Sequence, residues 1–187
     1  MNNIIKITPD IVKKRCLTLI SLRNRAYESK TNLIATIILN SPLLVVAGND
    51  WLPAYELTRN IRKKTLEVRQ ALNRLHTIRT STCYRLLDSL ANIPSSGEPI
   101  LVLEFLHTFY DSDIPLNVRF HKLQEGCRYL ERLALYRPVL VLTQEMISRD
   151  IEVEDYKKFF PILQSTAGKT FYLEGDEPRR IVQPAFF

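Results

Sequence analysis

Leu17-Thr18-Leu19-Ile20-Ser21-Leu22-Arg23-Asn24-Arg25-Ala26-Tyr27-Glu28-Ser29-Lys30-Thr31 passes from an apolar run of strand length into a polar turn. The residues beyond it, Lys30 to Asn40, carry Leu33, Ile34, Ile37 and Ile38 at helical spacing. Strand, short loop and helix in that order is the opening of a βαβ unit. The same alternation continues outward. Leu43 to Ala47 is a continuous apolar run, opened by Pro42 and closed by Gly48-Asn49-Asp50. Pro53 suits the first turn of a helix whose apolar positions are Ala54, Leu57 and Ile61. Leu75 to Ile78 reads as a weaker strand, Thr82 to Leu90 as a helix and Ile100 to Phe105 as a buried strand. Asn117 to Tyr136 reads as a long amphipathic helix, and Pro138 opens a strand over Val139 to Leu142. Strands that are apolar throughout need cover on both faces, which points to an α/β fold with a mostly parallel sheet. Lys169 to Glu174 and Arg179 to Gln183 flank Gly175-Asp176-Glu177-Pro178 and read as an antiparallel hairpin on the sheet edge.

A chain of 187 residues suits one domain, 1–187, with a sizeable core. The turn cluster from Asn92 to Pro99 is too short to divide it. No apolar run reaches membrane-spanning length and the start lacks a secretory pattern, so a soluble, intracellular protein is expected, cytoplasmic with the nucleus left open. Cys16, Cys83 and Cys127 show neither metal-ligand spacing nor a disulfide framework and read as free thiols. A net charge of +6 favours phosphate backbones as partners.

In an open α/β sheet the ligand sits beyond the carboxyl ends of the strands, and Asn24 to Thr31 falls there. Against the phosphate-loop pattern G-x-x-x-x-G-K-[ST], this octet keeps Lys30 and Thr31 and replaces the glycines with Asn24 and Ser29. Those glycines let backbone N–H groups wrap a phosphate without Cβ interference. Asn24 tolerates unusual dihedrals, whereas Ser29 brings a side chain and Glu28 a negative charge. Two readings stand: an eroded phosphate loop, or a plain helix start with Ser29 as N-cap and Lys30 and Thr31 exposed.

From Leu17 to Phe187 the order of features resembles the RadA/RecA recombinase family and its paralogues. Leu44 to Pro53 looks like the second core strand and its turn, with Gly48 at about the position of the family's catalytic glutamate and Asp50 the nearest carboxylate. Leu72 to Leu87 is similar to the segment where a strand ends before a helix. Ile100-Leu101-Val102-Leu103-Glu104 resembles the Walker B strand, with glutamate for aspartate. Phe109 to Leu123 is similar to the first DNA-contacting loop and the helix after it, with Arg119 at an arginine position. Val139 to Gln144 resembles the strand whose glutamine senses the γ-phosphate and begins the second DNA loop, here Glu145 to Leu163 with Arg149, Lys157 and Lys158. Gln164 to Val182 looks like the closing hairpin.

The resemblance implies a RecA-like three-layer core, with 1–16 as an N-terminal extension and no separate helical domain before it. It implies ATP and magnesium as possible cofactors: Asn24, Ser29, Lys30, Thr31 and Gln144 for the nucleotide, Thr31 and Glu104 for the metal, and Asp50 or Glu104 as possible catalytic carboxylates. Glu104 also reads as an ordinary strand-end carboxylate with a polar partner.

His107, His121, Glu104, Asp111 and Asp113 cluster loosely in sequence, without the two histidines at i, i+4 of a helical metal clamp. The run Arg59, Arg62, Lys63, Lys64, Arg69, Arg74, Arg79 and Arg85 reads either as a solvated charged face or as a patch for DNA or an acidic protein subunit. Tyr and Phe residues are not interleaved with basic ones in a stacking pattern along the sequence. The expectation is a recombinase-paralogue-like accessory protein of DNA recombination or repair, with weak or absent ATP hydrolysis, binding DNA and another protein subunit. An active small ATPase and a structural subunit of a nucleoprotein assembly are the alternatives.

Overall fold

Four consecutive residues, Ile100 to Leu103, are all 0% exposed, the condition of a strand covered on both faces. They form β4 in a computed structural model that describes residues 14–23, 27–48, 52–144 and 151–174. The chain order is β1 (Leu17–Arg23), α1 (Tyr27–Asn40), β2 (Leu43–Gly48), α2 (Ala54–Arg62), α3 (Val68–Asn73), β3 (Leu75–Thr80), α4 (Cys83–Asn92), β4 (Ile100–Leu103), α5 (Leu116–Ala134), β5 (Val139–Gln144), α6 (Ile151–Thr166) and β6 (Lys169–Glu174). The strands form one six-stranded sheet, β3-β2-β4-β5-β1-β6, in which every neighbouring pair is parallel.

The pleat sends alternate side chains to opposite faces. Leu19, Val46, Val102 and Val141 pack against α4, α5 and α6, while Ile20, Val45, Leu101 and Leu142 pack against α1, α2 and α3. Helices therefore cover both faces. None of the described helices is long and apolar enough to cross a membrane.

Three expectations change. Lys169–Glu174 pairs parallel with β1, Leu19 opposite Thr170, and the expected antiparallel hairpin is not seen among the described residues, where every strand pair is parallel. The expected turn and second arm, 175–183, lie outside the described residues. A parallel partner needs a crossover, and α6 supplies it. That helix replaces most of the expected loop from Glu145 to Leu163. Its buried Tyr156, Phe159 and Leu163 recur at helical spacing. The strand expected to run to Phe105 stops at Leu103, because Glu104 adopts φ 52° and turns the chain.

One loop is held from outside. Arg137, 3% exposed, directs its guanidinium into the turn after α4 and donates to the carbonyls of Pro94, Ser95, Ser96 and Glu98. Gly97 lies against it at φ 140°, where a Cβ would come within 2.8 Å of the guanidinium.

Candidate functional site at the carboxyl edge of the sheet

α1 leaves β1 on one face of the sheet, and α6 leaves β5 on the other. These helices lie on opposite faces beside the neighbouring strands β1 and β5, the kind of switch point at whose carboxyl edge ligands of open parallel sheets bind. The first turn of α1 opens on this edge with amide N–H groups that have no partner within the helix. Because the helix already begins at Tyr27, Ser29 lies inside its first turn and is not the N-cap.

Lys30 and Thr31 are buried, at 2% and 0% exposure, not displayed on the helix surface. The Lys30 ammonium donates to Oε1 of Glu104, 74 positions away, whose side chain is 16% exposed. The buried ammonium and the half-buried carboxylate both lose hydration that their attraction must offset, so apolar packing alone does not account for this pair. Thr31 Oγ1 accepts a 2.8 Å hydrogen bond from Nδ2 of Asn60, a buried residue of α2. Gln144 ends β5 in register with Leu22 of β1 and is half-buried.

Gly48 ends β2 beneath the turn at Glu104. A Cβ there would stand 2.8 Å from the Glu104 carbonyl oxygen, 2.9 Å from that of Leu103 and 3.0 Å from the Thr108 methyl. Backbone fills that space, so the position that the resemblance assigns to a catalytic carboxylate cannot house one without moving β4. Asn24, Asp50 and Arg149 lie outside the described residues. Among the described residues no group of three or more His, Cys, Asp or Glu side chains gathers to hold a metal. The side chains fit the phosphate half of a nucleotide site in composition, with one lysine and one hydroxyl at a helix start. Hydrolysis fits poorly, because Glu104 is engaged by Lys30.

The basic residues separate into distinct environments. Arg59, Arg62, Lys63 and Lys64 are exposed on and just after α2. Lys157 and Lys158 are exposed on α6, across the sheet, with Lys158 3.9 Å from Glu154. Arg74 caps α1 through the carbonyls of Ile38 and Leu39. Arg119 is corrected most: it is 8% exposed, ion-paired with Asp155, bonded to the Phe109 carbonyl and seated over the Phe159 ring. Those partners hold it in the core, out of reach of a DNA backbone. Sequence reading missed Asn60, a lone polar residue whose partner comes from a different helix.

No protein-family model matches the chain, and no curated protein matches it at a significant level. Fold and site together define a class: an α/β protein whose parallel sheet is covered on both faces and carries a lysine–carboxylate pair at its carboxyl edge.

Proposed function

We propose that this chain is a RecA-type, recombinase-paralogue-like subunit that serves DNA recombination or repair by binding DNA and another protein, with little or no ATP hydrolysis. The observation that carries this reading is the Lys30–Glu104 pair, with its ammonium buried and its carboxylate half-buried. It unites the two residues that the resemblance assigns to the phosphate loop and the Walker B strand. Their strands β1 and β4 flank β5, which bears Gln144, so the three resembling segments end side by side. The same geometry supports little or no hydrolysis. Rate in such a site needs a charge clamp and a positioned base together. Here the lysine is neutralised by a resident carboxylate, and backbone fills the Gly48 position.

The test is ATP turnover at saturating ATP and magnesium, with and without DNA, together with calorimetric nucleotide binding and co-purification from the native host. Turnover no greater than that of Lys30→Ala, alongside DNA binding and a stable protein partner, is expected. Turnover that Lys30→Ala abolishes would make the chain an active ATPase and overturn the proposal. The neutralised lysine also favours a second reading, a nucleotide-free structural subunit, which calorimetry without any nucleotide signal would select.

A further inference from the structure

We infer that the outer face of α2 is a docking surface for a single-stranded polynucleotide, with Tyr55 as a stacking platform and Arg59 and Arg62 as phosphate contacts. The inference rests on the DNA-associated reading above and gives it a location and a strandedness. Leu57, Asn60 and Ile61 fix the inner face of the helix. Tyr55, Arg59 and Arg62 follow one another at intervals of four and three and so line up on the outside.

Tyr55 is 77% exposed, and its ring has no aromatic or cationic partner among the described residues. Beside it, Thr58, Arg59, Arg62 and Lys63 complete an open depression. Residues 54–74 hold six basic and two acidic side chains, a net +4 within a chain of +6. Among the described residues Arg59 and Arg62 form no ion pair, so their charge is not cancelled there. A bare aromatic ring among guanidinium groups matches a strand whose bases are unstacked and whose backbone is anionic. A duplex keeps its bases paired and offers this surface only phosphates. The interleaving absent from the linear sequence is created by the helical turn.

The experiment is fluorescence anisotropy of the full chain against labelled oligo-dT and oligo-rU of about twenty nucleotides and a duplex of equal length, across a salt series. Tyr55→Ala is expected to weaken single-strand binding about 5- to 100-fold with the salt slope kept, and Tyr55→Phe to restore it. Arg59→Gln with Arg62→Gln is expected to lower the salt slope by about 1.4. Those losses on either oligonucleotide support the inference, and the preferred sugar identifies DNA or RNA. Oligonucleotide binding that ignores all these substitutions overturns this surface while leaving the DNA-associated reading intact. Duplex bound as tightly as single strand, with Tyr55→Ala silent, overturns the stacking mode. Absence of any polynucleotide binding removes the broader reading as well. Capture of polyglutamate through Arg59 and Arg62 in that case would assign the face to an acidic protein.

Discussion

Glu104→Gln removes the carboxylate to which the Lys30 ammonium donates while preserving size and shape. The ammonium is 2% exposed and the glutamate side chain 16%, so the two single substitutions differ in cost. Breaking a buried pair costs about 3–5 kcal/mol; the partial exposure of Glu104 places Glu104→Gln near the lower end, at about 3 kcal/mol. Lys30→Met strands a carboxylate that water still reaches, and about 1–2 kcal/mol is expected. The double variant carries neither charge and should be more stable than the sum of the singles implies, by about 1–2 kcal/mol. Urea unfolding followed by circular dichroism measures all four proteins. In a domain of this size 3 kcal/mol corresponds to a Tm drop of about 6–12 °C. The same substitution leaves the lysine charge uncancelled, so tripolyphosphate should bind Glu104→Gln about tenfold more tightly, equivalent to about 1.4 kcal/mol. Single-variant costs that add within about 0.5 kcal/mol would refute the coupling. Phosphate affinity unchanged in Glu104→Gln would refute the idea that the carboxylate occupies the lysine.

Other predictions follow from the packing. Arg119→Met should lower stability by about 3–5 kcal/mol by stranding Asp155, yet leave the salt slope of oligonucleotide binding unmoved; a shallower slope would return Arg119 to the binding surface. Arg137→Met should cost about 2–4 kcal/mol, because four carbonyls lose a charged donor, and Gly97→Ala should reproduce part of that loss in the same melts. With an aromatic disulfide reagent at about pH 8, near the ordinary thiol value, half-buried Cys16 should react in the native protein and Cys83 and Cys127 only after denaturant. Burial pushes the Cys83 thiol up and that of Cys127 up to about 11, so their thiolates are scarce at that pH; three fast thiols would contradict the packing. Gly48→Ala should cost about 1–3 kcal/mol as β4 shifts, and an undisturbed unfolding midpoint would show that the turn is looser than its distances indicate.

The central strands were readable because burial on both faces writes itself as unbroken apolar runs: Leu43 to Ala47, Ile100 to Leu103 and Val139 to Leu142 are all strand in the structure. β6 was legible as a strand but not in direction. Gly175-Asp176 is a local turn signal, whereas the partner seen among the described residues is β1, some 150 residues earlier, and no local pattern reports that distance. α6 was obscured by Pro161 and by mixed charges, although Tyr156, Phe159 and Leu163 held its period. At the site, Lys30 and Glu104 were identifiable one at a time through the resemblance. Their ion pair was not, because it depends on Lys30 turning inward and on the left-handed backbone at Glu104. The basic run on α2 was legible, but the place of Tyr55 beside it was hidden: three residues between Tyr55 and Arg59 look like separation in a sequence, whereas four positions are adjacency on a helix.

The packing over Gly48 bears on how this fold can change. Two carbonyls of β4 and a threonine methyl have settled into the volume a side chain would need. An acidic residue at that position therefore cannot be tried by one codon change against an otherwise unchanged neighbourhood. The turn at Glu104 would have to be rebuilt in the same step, and that turn carries the partner of Lys30. On the proposed RecA-type reading, the edge of the sheet is a ratchet: drift toward binding alone would be open one substitution at a time, and the way back closed unless several residues change together.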